Sequence, residues 1–170
     1  LLARSRLIYK FLRRLKVQMG KGSAMSGLDN KAMAAFLSRT MVGLVFAYAG
    51  WWKVFELGAL QHAERFFLGD EAIASSWIPH QLLWITGVTI PCLELGAGIL
   101  VLIGYFTRWA MVGCGVLLLL TTYGHLLQNP LFDIDGHTFT RLALIIFWLL
   151  LPMGVDQLSV DHWRKGRRAT

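Results

Sequence analysis

The sequence predicts an all-α integral membrane protein: a four-helix bundle with both termini cytoplasmic, preceded by a basic amphipathic helix. Three observations predict it. The chain is 55% hydrophobic and only 16% charged. Its apolar residues gather into four runs, at 36–55, 81–104, 109–127 and 138–153. Each run can cross a hydrocarbon core of about 30 Å, the fourth only marginally, since about 20 helical residues are usual. Third, the Lys and Arg residues are asymmetric along the chain. Nine of the seventeen lie at or before Arg39, four lie in "RKGRR" near the C-terminus, and Arg108 lies between the second and third runs. The other two connections hold Arg65 against Glu64, Asp70, Glu71, Asp133 and Asp135. Basic residues are retained on the cytoplasmic side, so both termini are expected there.

Taken in order, residues 1–31 read as a basic tail and linker. In "LLARSRLIYKFLRRLKVQMGKG", Ile8, Phe11, Leu12 and Leu15 recur at helical spacing, interleaved with Arg4, Arg6, Lys10, Arg13, Arg14 and Lys16. Such a helix lies on anionic lipid at the cytoplasmic surface or docks on another membrane subunit. It lacks the short apolar core and cleavage site of a secretory leader. Residues 32–161 are the four-helix transmembrane domain, and 162–170 a basic cytoplasmic tail. The connection at 57–80 reads as a short interfacial helix and a loop. Trp51, Trp52, Trp77 and Trp84 then form an outer aromatic belt, and Trp109 and Trp163 mark the inner interface. Cys92 and Cys114 fall inside apolar runs without C-x-x-C spacing, so they read as packing residues.

The polar residues inside the runs carry the functional information. Glu94 is ten residues from Gly104, about 15 Å into the layer at 1.5 Å per residue. Gly87, Pro91, Glu94 and Gly98 share one helical face, rich in small residues that admit a neighbouring helix. On the first run, Arg39, Gly43, Phe46, Gly50 and Lys53 share a face in the same manner. Lys53, or failing it Arg39, is therefore expected to compensate Glu94 in a structural ion pair. Cys114, Leu118, Thr121 and His125 share a face of the third run, and His137 and Arg141 open the fourth. Ionisable groups at this depth pair with one another and mark functional paths. The candidate ligand pocket is Lys53, Glu94, His125 and Arg141, opening toward the outer side.

Plainer readings stand beside this one. Glu94 could be a hydrogen-bonded structural carboxyl. Arg39, Arg108 and Arg141 lie near helix ends, where snorkelling is ordinary. The histidines are weak grounds for haem ligation, and "DIDGH", with Asp133, Asp135 and His137, reads as a turn and helix cap before it reads as a metal site. Asp156 and Asp161 are expected to pair with nearby basic residues. There is no nucleophile–base pair or phosphate loop, and a basic tail beside a membrane meets lipid before nucleic acid. No metal, no catalytic residue and no cofactor of the chain's own are expected.

The segments "SRTMVGLVFAYAGWWKVF" (38–55), "LELGAGILVLIGYFTR" (93–108), "DGHTFTRLALIIFWLLLP" (135–152) and "DQLSVD" (156–161) resemble the DoxX family of small four-helix membrane proteins. The resemblance implies Arg39, Lys53, Glu94 and Arg108 as recurring polar positions. It also implies a role as a membrane partner of redox or sulfur-handling enzymes, the family being named for a subunit associated with thiosulfate:quinone oxidoreductase. The expected function is thus a membrane subunit of a redox or electron-transfer complex in the bacterial cytoplasmic membrane, its pocket taking a quinone head group. The competing reading is a non-catalytic accessory subunit that clamps a larger complex through its basic N-terminal helix.

Overall fold

The computed structural model describes residues 29–128 and 134–168. The expected N-terminal amphipathic helix lies outside the described residues. Residues Lys31–Thr170 form one compact unit. Every regular element among the described residues is helical. In order they are α1 (Asn30–Trp51), running on through a wider π turn (Trp52–Glu56), α2 (Ala59–Ala63) with its own π turn (Glu64–Leu68), and α3 (Glu71–Ala74). Then come α4 (His80–Ile103), α5 (Thr107–Gln128), α6 (Ile134–Leu150) and α7 (Val160–Arg168).

Among the described residues, three helices are long and apolar enough to cross a membrane: Asn30–Glu56, His80–Ile103 and Thr107–Gln128. The first begins before its apolar run because "NKAMAA" is rich in alanine, the best helix former. The fourth apolar segment is shorter, Thr138–Leu150 within α6. Its run extends to residue 153 in sequence, but Pro152 biases the residue before it away from helical geometry and ends the element early. Large apolar side chains on these helices point outward, among them Leu37 and Leu44 on α1, Leu93 and Ile103 on α4, and Val116 and Leu119 on α5. A water-soluble helix carries polar residues on that face; these suit lipid.

Inside, α1, α4, α5 and α6 share one buried cluster that includes Val42, Phe46, Ile90, Val101, Met111, Cys114, Leu118 and Ile145. The antiparallel crossing of α1 and α4 is the tightest part. A Cβ at Gly43 would lie 2.7 Å from Leu102 Cγ, one at Gly98 would overlap the Ala47 backbone, and one at Gly50 that of Leu95. These close approaches descend in register along both helices, the small-residue packing that membrane helices use where water supplies no driving force. Arg39, Gly43, Phe46 and Gly50 on α1, and Gly87, Pro91, Glu94 and Gly98 on α4, are all buried.

At one end of the crossing, the chain turns from α4 to α5 through Gly104, whose φ of 76° ends α4 in a left-handed cap. Asp161 comes back from the C-terminal segment to this turn. Its carboxylate accepts from the N–H groups of Phe106 (3.0 Å) and Thr107 (2.8 Å) and from the Thr107 hydroxyl (2.9 Å). Its own N–H donates to the Gly104 carbonyl at 2.9 Å. Asp161 was expected to neutralise a basic neighbour; it serves instead as the N-terminal cap of α5, because the first N–H groups of a helix need acceptors.

Candidate functional site

At the other end of the crossing, the register continues from Gly50–Leu95 to Lys53 and Glu94. Lys53 Nζ lies 2.6 Å from Glu94 Oε2 in a hydrogen-bonded ion pair. Glu94 is almost wholly buried, whereas the Lys53 side chain keeps 23% of its surface. The π turn Trp52–Glu56 carries Lys53 on the last, widened turn of α1. Single π turns of this kind re-aim side chains and frequently occur at functional sites.

The pair opens on a cavity of about 200 Å³. His125 of α5 and Arg141 of α6 line the same cavity, so all four residues of the candidate pocket meet on one surface. Trp52, Phe66, Phe67 and Ile90 supply apolar wall. A second cavity of about 230 Å³ shares Phe67, Ile73, Ile90, Leu120 and Gly124 with it and is otherwise lined by apolar residues such as Leu82, Leu83 and Leu127. A polar chamber with an adjoining apolar one suits an amphipathic ligand.

Arg39 takes no part here. It is 1% exposed and sits at the Gly104 end, where its Nε lies 2.7 Å from Asp156 Oδ2. The N–H does not point along this contact, so it is an ion pair without a hydrogen bond. Its Nη1 donates to the Val101 carbonyl at 2.7 Å and to the Leu102 carbonyl, and its Nη2 to the Leu158 carbonyl at 3.4 Å. The expectation that Arg39 could serve Glu94 is corrected: Lys53 alone reaches the carboxylate, and Arg39 clasps the C-terminal segment to the end of α4. Nor does Arg39 snorkel toward a surface.

The connection at 57–80 also departs from expectation. It is no single interfacial helix. The segment α2 packs against α4, where a Cβ at Gly87 would lie 2.7 Å from Ala63 Cα. This buries His62, whose Nδ1 lies 2.7 Å from the Gly87 carbonyl. A carbonyl only accepts, so Nδ1 carries the proton and Nε2 is left as the ring's acceptor. Burial pushes the His62 imidazole below its ordinary value; the Lys53 ammonium adds to this, and the Gly87 carbonyl and Glu94 carboxylate oppose it. His62 lines the cavity with Lys53 and Glu94. Sequence reasoning missed it because "LQHAERFF" reads as a polar surface helix. The one available signal was His62 four and five residues ahead of Phe66 and Phe67, on one helical face.

Among the described residues there is no group of three potential metal ligands. Asp133 and the side chains of Asp135 and His137 lie outside the described residues. Cys92 and Cys114 are both free thiols, far apart in environment: the first exposed, the second buried.

Long apolar-faced helices, close glycine crossings and an internal ion pair on a cavity define a helical integral membrane protein with a polar chamber between its helices. The pattern of the DoxX family matches residues 34–126, just over half of the chain, and the chain belongs to that family. No curated protein matches the chain, and no solved structure matches it.

Proposed function

We propose that this chain is a membrane subunit of a redox or electron-transfer complex in the bacterial cytoplasmic membrane, and that its cavity binds a quinone head group. In this reading α1, α4, α5 and α6 all span the layer as a four-helix bundle, α6 with the help of its flanking residues, and both termini are cytoplasmic. The chain binds the quinone for its partner subunits and is not catalytic alone. The observation that supports this most is the Lys53–Glu94 pair at the wall of a cavity shared with His62, His125 and Arg141. Quinone carbonyls accept hydrogen bonds from cationic donors, which Lys53 and Arg141 supply. The proton shed by a quinol needs a nearby acceptor, which Glu94 or His62 Nε2 supplies. The apolar chamber beside it suits the start of an isoprenoid tail.

The test is quinone binding by Glu94→Gln and Lys53→Met in purified full-length protein, with expression and monodispersity as controls. Affinity should fall about tenfold or more in each, the worth of one hydrogen bond to a charged group. Unchanged affinity in a folded protein rejects the proposal.

A second reading, the accessory subunit, draws on the N-terminal segment, where six basic residues alternate with a helical apolar stripe. There the tail clamps a larger complex and Lys53–Glu94 is an internal brace. Deleting residues 1–22 distinguishes the two: a clamp predicts loss of co-purifying subunits with quinone affinity unchanged.

A further inference from the structure

A second polar cavity, of about 190 Å³, lies at the Gly104 end and is independent of the quinone reading. Its lining includes the apolar Trp148, Leu151, Pro152 and Met153 and the charged Asp156, Arg108 and Lys165. Two side chains of this lining hold buried polar atoms without a hydrogen-bond partner among the described residues: Trp148 through its indole Nε1, and Asp156 through both carboxylate oxygens, of which Oδ2 faces Arg39 and Oδ1 faces no charge partner. One is a donor and the other an acceptor. Buried polar atoms are nearly always satisfied, so a lone pair of them on one cavity calls for a ligand that both donates and accepts.

The protein cannot supply these partners itself. Asp156 is 8% exposed, and its Oδ2 already faces Arg39, whose Nη atoms are committed to the carbonyls of Val101, Leu102 and Leu158. Asp161, in the same lining, is committed to the first N–H groups of α5. At the rim the charge is positive. Arg108 and Lys165 are exposed, and neither is in an ion pair among the described residues. Met153 is 74% exposed and carries the wall out to an apolar surface.

We propose that this cavity is a binding site for the head group of phosphatidylethanolamine. The phosphate meets Arg108 and Lys165 at the rim, as basic side chains favour. The ammonium donates to Asp156 Oδ1, and a phosphate ester oxygen accepts from Trp148 Nε1. The acyl chains leave over Leu151 and Met153. The site lies where the long helices end, which is the level at which head groups sit. The feature that selects this lipid is the internal acceptor: phosphatidylcholine has the same phosphate and charge, and an ester oxygen for Trp148, but no N–H to offer Asp156.

The experiment is native mass spectrometry of the delipidated full chain, with equimolar phosphatidylethanolamine and phosphatidylcholine of matched acyl chains. The ethanolamine lipid should be retained about tenfold over the choline lipid. Trp148→Phe, which keeps the ring and loses the donor, should cut its retention severalfold. The exposed pair Arg108→Ala with Lys165→Ala should do so as well, and serves if Trp148→Phe does not fold. Soluble glycerophosphoethanolamine should not compete at equal concentration. Equal retention of the two lipids, wild-type retention of the ethanolamine lipid in the folded variants, or full competition by the soluble phosphodiester each overturns the proposal.

Discussion

Helix α1 and its π turn carry an inward-facing cation near each end of the crossing with α4, and the two behave differently. Arg39 and Lys53 are fourteen residues apart, about 21 Å along one face. Each meets a carboxylate across a helix boundary, at 2.7 and 2.6 Å. Around Arg39 the guanidinium is spent on three carbonyls and an acid, and 1% of the residue is exposed. Around Lys53 one donor serves Glu94, and the side chain stays part-open to a cavity. The same pairing of charges therefore makes a brace where the cation is enclosed by carbonyls and an acid, and a site where it stays partly open. Arginine suits the first task because its planar fork satisfies several acceptors at once; lysine suits the second because its ammonium can be shared.

The largest effect that tests this contrast is on Arg39. Arg39→Met leaves Asp156 buried without its counter-charge and frees the carbonyls that close α4. It should cost about 3–5 kcal/mol, enough to remove most of the folded protein. Lys53→Met should cost less, about 1–3 kcal/mol, because Glu94 still faces a polar cavity. Thermal unfolding in detergent, with the monodisperse yield, measures both. Equal losses would erase the distinction between brace and site.

The glycine crossing couples the two ends, and its neighbours give an internal control. Gly98→Ala puts a methyl group into the Ala47 backbone, so α1 and α4 must separate. Overpacking of this kind costs about 1–3 kcal/mol, and the shift should also loosen Lys53–Glu94. Gly96 lies two residues away with nothing within 4 Å of its Cβ position. Gly96→Ala should stabilise α4 by about 0.5–1 kcal/mol through helix propensity. Opposite signs from two glycines on one helix would fix the crossing at Gly98; the same sign in both would displace it.

How much of this was legible in the sequence follows from what periodicity encodes. A spacing of four and three names the face of a helix, and both inward faces, with Gly43, Gly50, Gly87 and Gly98, were readable on that ground alone. Antiparallel neighbours then put Lys53 about 6 Å outward of Glu94, within reach of its long side chain. Periodicity does not name partners from outside the helices. Asp156 sits in a non-helical stretch after Pro152, so nothing local tied it to Arg39. Asp161 reads as a surface acid until the Gly104 turn is seen beneath it. His62 lies among polar neighbours, and its burial depends on Gly87 leaving room on another element. The missed features all come from short helices and loops outside the long apolar helices.

The smallest effect concerns His62, and it sharpens the contrast at the Lys53 end. Burial holds the imidazole below its ordinary value of 6.5, with Lys53 adding to the effect and Glu94 and the Gly87 carbonyl opposing it. The unfolded chain thus takes up a proton here at a higher pH than the folded one does. Stability is full above about pH 6.5 and falls as the pH drops through that value toward the folded one, by at most about 1.4 kcal/mol per pH unit. His62→Gln can still donate to the Gly87 carbonyl but does not titrate. Its thermal midpoint should fall less than the wild type's between pH 7.5 and 5.5. Parallel slopes would mean that His62 is as accessible to protons folded as unfolded. The wall between Lys53 and α2 would then be open to water, and the chamber would lose the enclosure that separates a ligand site from a surface cleft.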